Sequence, residues 1–302
     1  PEMRKRGYPE SLAAGAIVGG GALGNLIPHG VVPIVYGIAT QTSIGKLFIG
    51  GVIPGIIVTV LMSVWVVFYS KWARRKMATQ AQKARSEFLG DVSYTLRERL
   101  AGILKVTPFM LLIVFLLVVL YGGFATPSEA AGVSSVATLL MVVVIYRLRS
   151  FKDYQNILEM TVKESTMIML IIATSFLFTT LITKLYITQT ITQTLVGWKL
   201  DKWMLMLMIN LFLLLLGCLL PPVAIVLITC PILNPIIHSY GFDPVWFGII
   251  MTINMEVGMI TPPFGLNLFV VKGIAPDIPL HKVLVGSAPF AVCLLLGIVL
   301  CS

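Results

Sequence analysis

Apolar residues in this chain gather into long runs, separated by short stretches rich in Gly, Pro, Lys and Arg. Residues 44–70, 106–122, 130–146, 165–187 and 284–301 each read as one apolar helix of membrane-crossing length, which requires about 20 residues. Residues 10–37 are equally apolar but are interrupted by Gly19, Gly20, Gly21, Gly24, Pro28, Gly30 and Pro33, so the pattern predicts a broken helix there. Residues 243–271 form a second interrupted span, broken at Thr261-Pro262-Pro263-Phe264-Gly265. Residues 203–238 read as two helices of about 16 residues around Gly217-Cys218-Leu219-Leu220-Pro221-Pro222; each rises about 24 Å, short of a full crossing of about 30 Å. A re-entrant hairpin fits that length, and two short tilted spans fit it as well. The fold class predicted is all-α: a polytopic transmembrane helical protein, 1–302 forming a single membrane domain.

Composition excludes a soluble domain. Hydrophobic residues are 57% of the chain and charged residues 12%, against about 25% charged in ordinary globular proteins. The net charge of +9 does not point to nucleic acid, because nine of the 22 basic residues lie between Lys71 and Lys105. That segment, 71–105, reads as a basic cytoplasmic interfacial stretch beside anionic lipid. The polar loop at 147–164 falls on the same side two crossings later, and the 121–130 turn without Lys or Arg falls outside. Lys184, Lys199 and Lys202 on the outer side run against the rule. The four cysteines show no CxxC spacing, and the three histidines show no ligand spacing.

The two interrupted segments match each other at a constant offset of 234 residues: Gly7-Tyr8 with Gly241-Phe242, Leu23-Gly24 with Val257-Gly258, and Leu26-Ile27-Pro28 with Ile260-Thr261-Pro262. Five predicted crossings separate the copies, so they enter from opposite sides. Inverted-topology repeats of this kind are an architecture of secondary transporters, whose sites lie at broken helices near the midplane. Chance agreement of Gly and Pro in membrane helices is the competing explanation.

A broken membrane helix leaves peptide groups without partners, which is tolerated where they face protein, water or a ligand. Free carbonyls coordinate cations, and half-helix N-termini favour anions. Thr261 adds a hydroxyl at the second break, Asn254 and Asn267 add amides nearby, and Glu256 is an intramembrane carboxylate. It reads either as a coupling or gating group or as a structural carboxylate paired with a polar neighbour. Glu129 reads as a solvated helix N-terminal residue. No HExxH, Asp-rich metal motif or paired carboxylates within a span points to an enzyme, and no cofactor is expected beyond a coupling cation.

The runs Pro1-Glu2-Met3-Arg4-Lys5-Arg6-Gly7-Tyr8, Leu23-Gly24-Asn25-Leu26-Ile27-Pro28 and Ser43 to Gly55 resemble the large membrane subunit of tripartite ATP-independent periplasmic (TRAP) transporters. So do Ala125-Thr126-Pro127-Ser128-Glu129-Ala130-Ala131, Asp243-Pro244-Val245-Trp246-Phe247-Gly248 and Thr261 to Val270, in family order along nearly the whole chain.

The resemblance implies a Na⁺-coupled importer of the bacterial inner membrane working by elevator-type movement. It would take an organic acid, such as a dicarboxylate or sugar acid, from a soluble periplasmic binding protein, alongside a small four-helix membrane subunit. It makes 203–238 the family's second hairpin and places the first before Pro1. It implies one ion site at Gly24 and Pro28, and another at Gly258, Thr261, Pro262 and Gly265, closed by Gly217. Substrate contacts fall to His29, Glu256, Asn267, Pro221 and Pro222. Where the family reads LIPPS this chain has Leu26-Ile27-Pro28-His29-Gly30, which removes a serine hydroxyl. The alternative is a Na⁺ or H⁺ symporter of related inverted-hairpin architecture that needs no binding protein.

Overall fold

A computed structural model describes residues 3, 8–26, 30–80, 96–145, 147, 150–263 and 265–302. The helices in these regions are α1 (Glu10–Leu26), α2 (Val31–Thr40), α3 (Ile44–Gln80), α4 (Leu96–Tyr121), α5 (Pro127–Val144) and α6 (Phe151–Lys184). They continue with α7 (Ile187–Gly197), α8 (Lys202–Gly217), α9 (Pro222–Ser239), α10 (Pro244–Met259), α11 (Leu266–Ile274) and α12 (Leu280–Cys301). The described residues contain no strand, and the protein is all-α. Among them five stretches are long and apolar enough to cross a membrane: Glu10–Thr40, Ile44–Trp72, Phe151–Lys184, Pro222–Ser239 and Leu280–Cys301.

Two compact units emerge, one of residues 1–89 with 171–302, the other of residues 90–170. In the second unit, α4 and α5 join through a turn with Gly123 at φ +68°. Thr126 and Glu129 then close a capping box: the Glu129 carboxylate accepts from the Thr126 backbone N–H at 2.8 Å, and the Thr126 hydroxyl accepts from the Glu129 N–H at 3.4 Å. The polar stretch read as a loop at 147–164 is helical from Phe151 onward. An exposed Glu159–Lys163 pair at 2.7 Å, one turn apart, supports helix there. Part of the basic segment 71–105 is also helical, in α3 and α4, and 81–95 lies outside the described residues.

The first unit is organised around α10, in which all residues from Ile250 to Met259 are buried. One apolar cluster joins Ile250, Ile253 and Val257 to α1, α3, α11 and α12; another joins Phe247, Met251 and Met255 to α2, α8 and α9. Lipid supplies no hydrophobic drive for helix pairing, so close backbone packing through small residues has to do it. At the α1–α12 contact, Gly15 and Gly286 leave no room for a Cβ on either side.

Five contacts fix the helix directions. Glu10 pairs with Lys282 at 2.8 Å, Gly15 meets Gly286, and Gly19 meets the Phe290 ring, so α1 and α12 run parallel. The indole N–H of Trp246, at the start of α10, donates to the Cys301 carbonyl at the end of α12 at 2.8 Å, so α10 runs antiparallel to both. The Tyr36 hydroxyl of α2 donates to the Pro244 carbonyl at 2.8 Å, which takes α2 on toward the start of α10. α1 and α10, the helices that lead into the two breaks, therefore run in opposite directions.

Candidate functional site

α8 and α9 form a hairpin whose two ends lie together. Trp203 and Phe242 are 5.9 Å apart, and Phe242 stacks on Trp246 at 5.2 Å. Asp201 and Asp243 start α8 and α10 side by side at this cluster, each accepting a backbone N–H, from Trp203 at 3.0 Å and Trp246 at 2.9 Å. Both helices have 16 residues, a rise of about 24 Å. They finish level: a Cβ on Gly258 would lie 2.6 Å from Gly217 Cα. The hairpin tip is thus seated on the end of α10. One turn earlier the Asn254 amide donates to the Asn210 carbonyl at 3.0 Å and to its side-chain oxygen at 2.9 Å. Asn254 Oδ1 is buried without a partner among the described residues.

Beyond Gly258 the helix stops for a chemical reason. The N–H groups that would serve the Gly258 and Met259 carbonyls belong to residues 262 and 263, both proline. Gly258 O takes the Thr261 N–H at 3.2 Å instead, and Thr261 O takes that of Gly265 at 3.1 Å. The Thr261 hydroxyl donates to Val257 O at 2.6 Å, leaving its own lone pairs free. Met259 O and Thr261 O converge: each lies 2.9 Å from where a Gly265 Cβ would stand. α11 then begins at Gly265 and α9 at Pro221 without a side-chain cap, so both present first-turn N–H groups.

The first break repeats this logic, since the donor for the Gly24 carbonyl would be residue 28, a proline. Gly24 is exposed with open space beside it. Pro28 and His29 lie outside the described residues.

Of the residues singled out from sequence, Gly217 joins Gly258, and Thr261, Pro262 and Gly265 share the second break. Pro221 and Pro222 start α9 just past the tip. Glu256 lies elsewhere. It is two residues from Asn254 on one helix, hence on nearly the opposite side. It is fully buried, neither carboxyl oxygen has a hydrogen-bond partner among the described residues, and its polar neighbour is the Asn25 amide of α1. Asn267 likewise faces α1, its amide nitrogen 3.8 Å from the Cβ position of Gly21. Asn25 and Asn210 were not among the sequence candidates; an amide inside an apolar run was the available signal.

The family model for the tripartite ATP-independent periplasmic transporter, DctM component, matches residues 1–302. The chain is 37% identical over 298 residues to the C4-dicarboxylate TRAP transporter large permease protein DctM of Pseudomonas aeruginosa, covering 99% of this chain and 66% of that protein. It is 34% identical to the DctM protein of Rhodobacter capsulatus, covering 91% and 62%. It is 30% identical to the sialic acid TRAP transporter large permease protein SiaM of Vibrio cholerae, covering 99% and 66%. The chain thus spans just under two thirds of the length of these relatives. They are named as permease subunits rather than enzymes, and the chain is an integral protein of the inner membrane. This chain belongs to the DctM family of TRAP transporter large permease proteins.

Proposed function

We propose that this chain is the permease part of a Na⁺-coupled secondary importer that receives an organic acid, such as a dicarboxylate or sugar acid, from a periplasmic binding protein. The observation that carries this reading is the pair of broken segments, whose leading helices α1 and α10 run in opposite directions, with Gly21 of the first segment beside Asn267 of the second. Opposed direction joined to the shared Gly-x-x-x-Pro break supports an inverted repeat.

The residues fit a sodium ion. Met259 O and Thr261 O converge at the second break, and the Thr261 hydroxyl keeps its lone pairs, so the donors are all oxygen. A bound Na⁺ would supply positive charge there. The chain itself supplies rigidity: Pro263 withholds a helical donor from Met259 O, Thr261 O keeps a lone pair beyond the Gly265 N–H, and the Gly217–Gly258 contact closes the hairpin over the break. The uncapped N-termini of α9 and α11 suit the carboxylate of an organic anion. The hairpin is tied to α10 through Gly217, Asn210 and the Trp203 cluster, so the two move as one body, as an elevator mechanism requires. The family places a small four-helix membrane subunit beside this chain.

Uptake into proteoliposomes by the intact transporter, with and without a Na⁺ gradient and with and without the binding protein, tests the reading. Uptake should need both. Transport of free substrate without the binding protein would favour direct symport, and indifference to Na⁺ would end the coupling assignment.

A further inference from the structure

One end of the first unit carries positive charge where the membrane rule puts little. Helices α8 and α10 start there, α12 finishes there at the Trp246–Cys301 hydrogen bond, and Gly50 of α3 packs on Val245 and Ile249 of α10. The opposite end, where Glu10 pairs with Lys282, adjoins Arg4-Lys5-Arg6 in sequence and so falls to the cytoplasm. The α8 end is therefore the outer one. Lys46, Lys199 and Lys202 are exposed at the starts of α3 and α8, and Lys184 is exposed just before α7. Among the described residues none of these four has an ion pair. The carboxylates of this end, Asp201 and Asp243, are both engaged in helix caps, accepting the Trp203 and Trp246 N–H groups.

Three of these lysines bracket α7. Left-handed residues, Tyr186 at φ +56° and Lys199 at φ +49°, turn the chain at its two ends. Ile191 and Leu195 pack inward on the cluster that includes α9, and the Tyr240 hydroxyl donates to Leu195 O at 3.1 Å. The other face of α7 is polar. Gln189 and Gln193 lie one turn apart, as do Thr190 and Thr194, and all four are exposed. The two hydroxyls donate to Tyr186 O and Thr190 O, at 2.9 and 2.8 Å, and keep their lone pairs. Unpartnered amides are costly against hydrocarbon, so this face is turned to water. Tyr186 is 69% and Trp198 59% exposed at its two ends.

We propose that the polar face of α7, between Lys184 and Lys199, is the landing surface for an acidic face of the soluble binding protein. The proposal rests on the reading that such a protein delivers the substrate. Charge selects the partner: lysines without ion pairs make this end positive, and a protein bearing carboxylates is steered to them through water. A membrane surface fits less well, since an interfacial helix inserts through an apolar face, and Gln189, Thr190, Gln193 and Thr194 offer none. Tyr186 and Trp198 are the kind of large side chain that anchors a protein interface. Docking here also reaches the hairpin, because Tyr240, at the outer end of α9, holds Leu195 of α7. The partner thus meets the same unit that carries the second break.

The test is uptake by the intact transporter in phosphatidylcholine vesicles, measured against the concentration of substrate-loaded binding protein at fixed Na⁺. In the combined variant Lys184→Glu, Lys199→Glu, Lys202→Glu the KM for loaded binding protein should rise by about tenfold or more, with kcat little changed. Added choline chloride should raise the wild-type KM and lower that of the variant, because salt screens attraction in one and repulsion in the other. Should the variant fail to fold, a photo-cross-linking residue at Gln193 leaves the charges in place. It should capture the added binding protein, while the same residue at the exposed Val292 of α12 should not. A wild-type KM in the variant, or no capture at Gln193, overturns the inference and leaves delivery by a binding protein standing. A defect seen only when phosphatidylglycerol is added to the vesicles assigns the lysines to lipid and also overturns it. Wild-type uptake that needs no binding protein overturns both the inference and the delivery reading.

Discussion

Gly217 at the end of α8 and Gly258 at the end of α10 touch through their backbones: the Cβ that any other residue would bring to position 258 would stand 2.6 Å from both the Cα and the carbonyl carbon of Gly217. The approach is reciprocal but uneven, since a Cβ at 217 would meet Gly258 Cα at 3.1 Å. Backbone on both sides leaves no flexible side chain to yield. This contact sets how far the hairpin tip sinks beside the second break.

Gly258→Ala should therefore be the more damaging exchange. Overpacking of this kind costs about 1–3 kcal/mol, and the displaced tip would open the oxygens at Met259 and Thr261. Transport should fall sharply while insertion into the membrane persists. Gly217→Ala should be milder, and Gly20→Ala, with nothing within 4 Å, should leave uptake unchanged. Uptake and thermal unfolding of the three variants, measured together, check the order; equal behaviour of Gly258→Ala and Gly20→Ala would refute it.

The Asn210–Asn254 pair should be worth less than its two hydrogen bonds imply. Interhelical polar pairs in membranes average about 0.6 kcal/mol in double-mutant cycles, with a maximum of about 1.7. Asn210→Leu, Asn254→Leu and the double variant should give a coupling energy in that range. The Asn254 exchange should be the costlier single change, because it removes the donor of both bonds, to the Asn210 carbonyl and side-chain oxygen.

Thr261→Val keeps shape and removes one oxygen. The hydroxyl now donates to Val257 O at 2.6 Å, a bond the helix end can lose without unfolding. The expected result is a half-saturating Na⁺ concentration for uptake raised by about tenfold, a loss of about 1.4 kcal/mol in ion binding, with thermal stability in K⁺ unchanged. Unaltered Na⁺ stimulation would remove Thr261 from the ligand set.

Much of this architecture was legible because its causes are local. Prolines at 262 and 263 withhold donors from Gly258 and Met259 whatever surrounds them, so the end of α10 is written in the residues that make it. Helix α6 was less legible: its polar start at Phe151 carries no membrane signal, and an exposed i,i+4 pair at Glu159 and Lys163 is weak evidence for helix. The neighbour of Glu256 was not legible at all. Its nearness to Asn25 depends on α1 and α10 crossing in opposed directions, which is set by remote packing at Gly15, Gly286 and Trp246. Periodicity places a residue on a helix face but does not name the helix opposite.

The α1–α12 contact separates charge from packing. Glu10 and Lys282 meet at 2.8 Å with their side chains 32% and 45% exposed, a setting in which an ion pair contributes about 0–1 kcal/mol. One turn inward, Gly15 and Gly286 press backbone on backbone, with no space for a methyl group on either. Glu10→Gln should accordingly leave thermal stability within about 1 kcal/mol of wild type, whereas Gly286→Ala should cost about 1–3 kcal/mol or more. The consequence reaches the site, because α1 leads to the first break at Gly24 and is aligned by this contact. Gly286→Ala should raise the Na⁺ requirement along with lowering stability, and Glu10→Gln should change neither appreciably. Thermal unfolding in K⁺ and in Na⁺ distinguishes the cases: if Gly286→Ala loses stability equally in both salts, the α1–α12 contact does not position the ion ligands.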